Sequence, residues 1–362
     1  MAKVPSPQLF LPSAERRAPR PALPVLSTQN DTTYYDSHAA SVLNDTRMTG
    51  MSYWSVNPYT GCAFGCAYCY ARYAHRYVME RAVTARRLPD ASAAAIADLP
   101  PWLAFERHIV VKRNAPDALA RALRQGSARH LALLRGEMIL IGTATDPYQP
   151  AERRYGVTRG LLEVLVTHPG LTIGIITKSP LITRDADLLA RIARRSSLSV
   201  HVSLITLDRA LARRLEPRAP TPEARLRAIR RLADAGVVAG INIMPVLPGI
   251  TDHPLMLDAL VRAAADAGAA RIGVCALRLQ HEARKRYLPF LAEEFPHLAA
   301  RYAAAYAHGS DVSARYRAGL SRYVHQLGRK YGIRVGERAE DEETLDAAPA
   351  PSPDPQLAFA LG

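Results

Sequence analysis

Short runs of Val, Ile and Leu alternate along the chain with longer stretches in which apolar residues recur every three or four positions. The runs cover 52–59, 108–112, 138–143, 171–177, 199–206 and 240–246, with a seventh candidate at 270–279. Several are almost unbroken in branched apolar residues, as parallel strands covered by helices are. The intervening stretches carry helix punctuation. Thr221 can cap, Pro222 follows at the first helical position, Leu226, Ile229 and Leu232 repeat on one face, and Gly236 ends the segment. Asn114 through Gly126 repeats this layout. The alternation predicts an α/β protein. With right-handed crossovers, about six such units form either an open doubly wound sheet or a full or partial barrel. Both place an active site at the C-terminal ends of the strands.

The two ends read differently. Residues 1–46 are rich in Pro, Ser, Thr and Asn without a sustained period, which predicts an irregular N-terminal arm. Residues 47–280 hold the strand and helix units, and 281–336 read as a helical extension. That extension carries Tyr287, Tyr302, Tyr306, Tyr316, Tyr323 and Tyr331, which suit a base-stacking surface or, more commonly, ordinary packing of amphipathic helices. From 337 to 362 the chain is acidic, then Pro-rich, and is expected to be disordered.

Composition narrows the classes. With 48% hydrophobic and 22% charged residues in 362, the chain can bury a sizeable core, which excludes fibrous and wholly disordered readings. Its four Cys are too few to staple a chain of this length, so a secreted disulfide framework is excluded. No apolar signal core opens the sequence, and the longest apolar run, 237–249, is broken by Asn242, Pro245 and Pro248. The expectation is a soluble, cytoplasmic protein with no membrane partner. The net charge of +14 points to a polyanion, DNA or RNA, as a partner. Only five of the 47 basic residues are Lys, however, and such an Arg excess beside Ala-rich helices also follows from biased genome composition.

Chemistry concentrates at Cys62, Cys66 and Cys69, which follow the first predicted strand and run into a helix. Spacings of four and three residues let one loop wrap three thiolates around a single inorganic core, with Gly61 and Gly65 allowing the tight turns. A four-iron cluster held by three Cys keeps one iron open. Cys275 could supply a fourth sulfur, although an apolar strand more often buries a Cys as a small core residue. A zinc site with His75 as fourth ligand is the competing reading, atypical because zinc modules usually pair their Cys as knuckles.

The triplet, with Tyr68 just before the last Cys, resembles the radical S-adenosylmethionine (SAM) superfamily. Asn57-Pro-Tyr-Thr-Gly-Cys62, the stretch from Thr143 to Glu152, Thr177-Lys178-Ser179 and Val202-Ser203-Leu204 resemble its spore photoproduct lyase-like branch, also labelled DNA-repair photolyase-like. The likeness runs from about residue 53 to 332. It implies a partial (β/α)6 TIM-type barrel over 47–280, a [4Fe-4S] cluster on Cys62, Cys66 and Cys69, and S-adenosylmethionine as second cofactor. It further implies reductive cleavage to a 5′-deoxyadenosyl radical that abstracts hydrogen from an unidentified substrate, with nucleic acid the leading class. An electron donor of flavodoxin or ferredoxin type is implied as a partner.

By the same resemblance Tyr68 would lie against the adenine, and Thr145, Lys178 and Ser203 would hold S-adenosylmethionine, Lys178 as a mobile point charge. Asp146 either accepts the amino group of S-adenosylmethionine or, with Glu152, frames the Pro-Tyr-Gln-Pro turn between them. Arg72 and His75 remain unassigned. The sequence departs from the branch at Ala144-Thr145, where a donor Cys is expected, so repair of the spore photoproduct by that route is not supported. Gln356-Leu357-Ala358-Phe359 and Gln8-Leu9-Phe10-Leu11 partly match peptides that dock on the DNA sliding clamp, which adds the clamp as a candidate partner. The alternative to radical chemistry is an iron–sulfur electron-transfer or binding protein. A zinc-stabilised nucleic-acid-binding module is a third reading.

Overall fold

The computed structural model describes residues 22–46 and 51–336. Its main sheet has eight strands in the order β12-β11-β10-β9-β8-β7-β4-β3. Here β3 is Leu43–Asn44, β4 Trp54–Val56, β7 Met138–Ile141, β8 Thr172–Thr177 and β9 Ser197–Ser203. The series continues with β10 Ala239–Val246, β11 Arg271–Ala276 and β12 Arg334–Val335. All neighbours from β4 to β12 pair in parallel, and β3 adds antiparallel at one edge. Each of these strands lies beside the next one in sequence, so every crossover steps the same way and the helices collect on one face. A doubly wound sheet would reverse its order at a switch point. Among the described residues the edge strands β3 and β12 do not meet, so the architecture is a partial barrel.

The two faces of this sheet are unlike. Ile139, Ile141, Ile173, Ile175, Val200, Val202, Ile241 and Ile243 are fully buried and share one apolar core with Leu161, Leu189, Ile192, Ile229 and Leu232 of the covering helices. The alternate positions Leu140, Ile176, Ser199, His201, Met244 and Cys275 are only half-buried. Successive strand residues point to opposite faces, so the face away from the helices is the open one.

Two expectations need correction. Residues 22–46 are not an irregular arm: they form β1 Val25–Gln29, β2 Thr32–Ser37 and β3. The short strands are built from Thr, Tyr and Ser, and β2 buries both adjacent tyrosines, Tyr34 and Tyr35, so no period of two shows in the sequence. The apolar run at 108–112 is indeed a strand, β6 His108–Lys112, but it lies in a separate four-stranded sheet of order β1-β2-β6-β5, where β5 is Tyr59–Thr60. An apolar run reports burial and not which sheet receives it. The seventh candidate run supplies β11 in its place, completing six parallel barrel strands before β12. The predicted strand at 52–59 divides at Asn57-Pro58 into β4 and β5, one for each sheet.

Beyond β11 the chain is helical except for β12. Tyr302 donates to the Pro248 carbonyl at 2.8 Å, Tyr306 to the Leu277 carbonyl at 2.9 Å and Tyr316 to Asp252 at 2.8 Å. These buried tyrosines pin the loops after β10 and β11; they are packing residues and offer no base-stacking surface. No helix among the described residues is long and apolar enough to cross a membrane. The sliding-clamp peptides and the 337–362 tail lie outside the described residues.

Candidate active site

The cysteine loop leaves β5 at Gly61 and enters the helix Arg72–Thr84. Gly61 has φ +88°, and a Cβ there would sit 2.9 Å from the Phe105 carbonyl oxygen, so the approach of the two backbones requires glycine. The loop's peptide groups are consumed by the surrounding fold. Cys62 N donates to the Phe105 carbonyl at 3.0 Å, Ala63 N to Gln149 Oε1 at 3.0 Å and Ala67 N to the Leu215 carbonyl at 2.9 Å. The buried Arg72 guanidinium donates to the Cys66 carbonyl and to Glu106, each at 2.6 Å. The three thiols are what this bracing leaves over.

Cys62 and Cys66 are 8% and 6% exposed, Cys69 is half-buried, and none is in a disulfide. Burial pushes the Cys62 thiol up to about 12, with the nearby Asp146 carboxylate adding to the rise. Burial also raises Cys66 well above its usual value, against the pull of Lys178. Cys62 and Cys66 each lie near enough to Cys69 for its charge to add to the rise. Buried thiols that resist ionisation alone become thiolates when a metal centre shares their charge. The donor set therefore fits a cluster.

His75 does not complete a zinc site. Its Nε2 lies 2.6 Å from the His108 carbonyl oxygen, and its ring stands edge-on to Phe105. Among the described residues no three His, Cys, Asp or Glu side chains, the Cys triplet included, are gathered tightly enough to hold a single metal ion; three thiols spread along one loop suit a larger, multi-iron core instead. Cys275 sits half-buried on the open face of β11, in the neighbourhood of Tyr70. The Tyr70 hydroxyl donates to the Thr143 carbonyl, one residue from Ala144.

The strand-end residues gather around this loop with unequal freedom. Thr145 donates to the Gly61 carbonyl at 2.6 Å and accepts from Gln149 Nε2 at 2.9 Å, so its hydroxyl braces the loop. Asp146 makes turn contacts with both of its oxygens. Its Oδ1 accepts from Tyr148 N at 2.9 Å and Thr177 Oγ1 at 2.7 Å, and its Oδ2 accepts from Lys178 N at 2.7 Å. The carboxylate thereby clasps the loop after β7 to the end of β8, leaving one lone pair on Oδ2 for anything else. Ser203 is buried at the end of β9, with its carbonyl accepting from Arg225 Nη1 at 2.9 Å.

Lys178 is the least committed. Its Nζ lies 3.9 Å from Glu216 Oε1 and 5.7 Å from the centre of the Tyr68 ring, and it makes no hydrogen bond among the described residues. Burial works against its charge, but Cys66 and Glu216 outweigh burial and raise its pKa. A charged, partly buried ammonium with spare donors near Cys66 is a receptor for an anionic group.

Sequence reading missed Glu216 and Arg225. Glu216 is fully buried just past the helix Arg209–Leu215 and accepts from the Tyr68 hydroxyl and from Arg225. Arg225 had a signal: in the helix Pro222–Asp234 it lies three, four and seven residues before the buried Ala228, Ile229 and Leu232, which puts a charge on the apolar stripe. Nothing local distinguishes Glu216.

A family profile described as the Radical SAM superfamily matches residues 56–260, more than half of the chain. The chain belongs to the radical SAM superfamily. Its cofactors are accordingly a [4Fe-4S] cluster and S-adenosylmethionine, it is an enzyme of that class, and it needs an electron donor. An uncharacterized protein of Mycobacterium tuberculosis (strain ATCC 25618 / H37Rv) is 35% identical over 291 residues, 80% of this chain and 78% of the relative. An uncharacterized protein of Methanocaldococcus jannaschii is 27% identical over 214 residues, 59% of this chain and 68% of the relative. Among solved structures, a spore photoproduct lyase mutant with bound AdoMet and dinucleoside spore photoproduct has a TM-score of 0.57 at 14% identity, covering 84% of this chain and 82% of its own. A second, the lyase complexed with the dinucleoside photoproduct, gives the same score, identity and coverage. At such identity the likeness establishes the fold, and it agrees with the radical SAM partial barrel.

Proposed function

We propose that this radical SAM enzyme abstracts a hydrogen atom from a nucleic acid, in a lyase-like repair or modification reaction. The observation that carries the radical part is the loop that spends its backbone on the fold and leaves Cys62, Cys66 and Cys69 as its free thiols, with the Lys178 ammonium, open to further donation, over the Tyr68 ring of the same loop. Those Cys would hold the cluster, and Lys178 would receive the carboxylate of S-adenosylmethionine. Tyr68 and Ser203 line the same neighbourhood, whereas Thr145 and Asp146 act behind it by bracing the loop. When bound, the two cofactors supply one-electron cleavage of a sulfonium to a carbon radical that takes hydrogen from the substrate.

Nucleic acid as substrate is supported by the net charge of +14 and by a fold shared with a lyase that binds a dinucleoside photoproduct. The reaction differs from that lyase in its hydrogen return, because Ala144 stands where the branch places a donor Cys. A flavodoxin or ferredoxin type protein is the proposed electron donor, and the sliding clamp a proposed partner through Leu357 and Phe359.

The experiment is anaerobic. Reconstituted protein is reduced with dithionite, given S-adenosylmethionine, and assayed for 5′-deoxyadenosine by mass spectrometry with and without duplex DNA. Cleavage is expected in the wild type and its loss in Cys66→Ala, with yield changing when DNA is present. A full iron and sulfide count without cleavage would favour the electron-transfer reading. Cleavage indifferent to DNA and RNA would remove nucleic acid as substrate.

A further inference from the structure

Glu216 has no role in the reading above, yet two of the residues placed around the cofactors, Tyr68 and Lys178, meet it directly and a third, Ser203, is tied to it through Arg225. The chain from 215 to 218 is laid directly on the cysteine loop. The Leu215 carbonyl accepts from Ala67 N at 2.9 Å, and Arg218 N donates to the Phe64 carbonyl at 3.3 Å. One oxygen of the buried Glu216 carboxylate accepts from the Tyr68 hydroxyl and the other from Arg225. Lys178 stands 3.9 Å from the first. Arg225 continues the chain of contacts, donating from Nη1 to the Ser203 carbonyl and from Nε to the Pro220 carbonyl, each at 2.9 Å. Tyr68 comes from the cysteine loop, Lys178 from the end of β8 and Ser203 from the end of β9.

The charges explain why the arrangement holds. Two cations and one anion share a dry site, and each would be costly to bury without the others. Arg225 and Lys178 keep the Glu216 carboxyl below its usual range although burial opposes ionisation. Arg225 is fixed by its carbonyl contacts, so Glu216 retains the Lys178 ammonium by field alone and leaves its N–H donors for a ligand. The Leu215 carbonyl on Ala67 N and the Tyr68 hydroxyl on Glu216 place this charge directly against the loop segment that carries Cys66. A buried anion near a thiolate ligand makes addition of an electron to the bound cluster harder.

We infer that Glu216 is a positioning residue with an electrostatic function: it holds Tyr68, Lys178 and, through Arg225, Ser203 in register around one ligand site, and its charge lowers the reduction potential of the cluster on Cys66. The inference rests on the radical SAM reading for the presence of the cluster, but not on substrate identity.

The test is an EPR-monitored redox titration of reconstituted wild type and Glu216→Gln with matched iron and sulfide content, together with anaerobic binding of S-adenosylmethionine. Loss of the charge is expected to move the midpoint to a more positive potential and to weaken S-adenosylmethionine binding roughly tenfold, as loss of one charge-assisted contact does. Glu216→Asp is expected to restore the midpoint in part. An unchanged midpoint in a fully loaded Gln variant overturns the inference. Should that variant not fold, Tyr68→Phe decides. It strips one donor from the carboxylate and is expected to move the midpoint more negative, and no movement overturns the inference equally. Cleavage of S-adenosylmethionine by the wild type tests the radical reading separately, so failure of either is distinguishable from failure of the other.

Discussion

Two buried glutamates in this molecule are built from the same parts and differ in their surroundings. Glu152 accepts from a tyrosine, Tyr59, and pairs with an arginine, Arg184, at 2.8 Å. Glu216 likewise takes Tyr68 and Arg225. Glu152 then receives two backbone amides, Thr158 N at 2.8 Å and Arg159 N at 3.1 Å, so all four lone pairs are satisfied by the fold. Among the described residues the Glu216 carboxylate accepts no backbone amide; it faces a lysine whose donors are open and the loop that carries Cys66. The first network is closed and can only stabilise. The second ends on groups that wait for a ligand, which is how a buried ion pair becomes part of a site.

The comparison breaks first at Glu152. Glu152→Ala leaves the buried Tyr59 hydroxyl and two amides without their acceptor, with Arg184 keeping Asp185 at 2.8 Å, and is expected to cost about 3 kcal/mol in urea unfolding. The cluster midpoint of the surviving folded protein is expected to stay where it is, and a midpoint shift as large as that of Glu216→Gln would erase the distinction.

Acid separates the regions next. Burial pushes His75 and His108, both behind the cysteine loop, down to about 4. Their folded pKa values lie below the unfolded value of about 6.5, so the unfolded chain binds more protons in that window. The stability they provide is complete above pH 6.5 and is lost as pH falls toward 4, about 3 kcal/mol for the fully buried His75. Glu216, held below the usual carboxylate range, keeps its contribution until the pH is lower still. Unfolding midpoints measured from pH 7 to 4 are expected to fall, and the slope to shrink by about half in His75→Phe; an undiminished slope would refute the assignment.

The finest test is a matched pair. Tyr59→Phe and Tyr68→Phe each delete one hydrogen bond to a buried carboxylate and are each expected to cost about 2 kcal/mol of stability. Calorimetric titration with S-adenosylmethionine should then register only the Tyr68 change. Equal binding losses in both would show that the two networks communicate.

The sequence carried the α/β class, the strand and helix alternation and the cysteine loop, because each is written in local spacing. Three thiols within eight residues need no tertiary information to be seen as a ligand set. Lys178 and Ser203 are legible only as strand-end residues of a resembled family, and the bonds from Asp146 to Thr177, Lys178 and Tyr148 are visible only in the fold. The hairpin in 22–46 was hidden because β2 buries adjacent residues and so shows no period.

What the chain alone determined is thus the set of groups whose meaning depends on near neighbours: helix caps, apolar stripes and the Cys triplet. The tertiary structure decided the rest. It set which sheet received β6 and whether a buried carboxylate was closed or open, and it brought Glu216 to Cys66 from 150 residues away in sequence. The physical reason is range. Hydrophobic periodicity and backbone propensity act within a few residues, while electrostatics in a dry interior acts between whatever the fold has placed side by side.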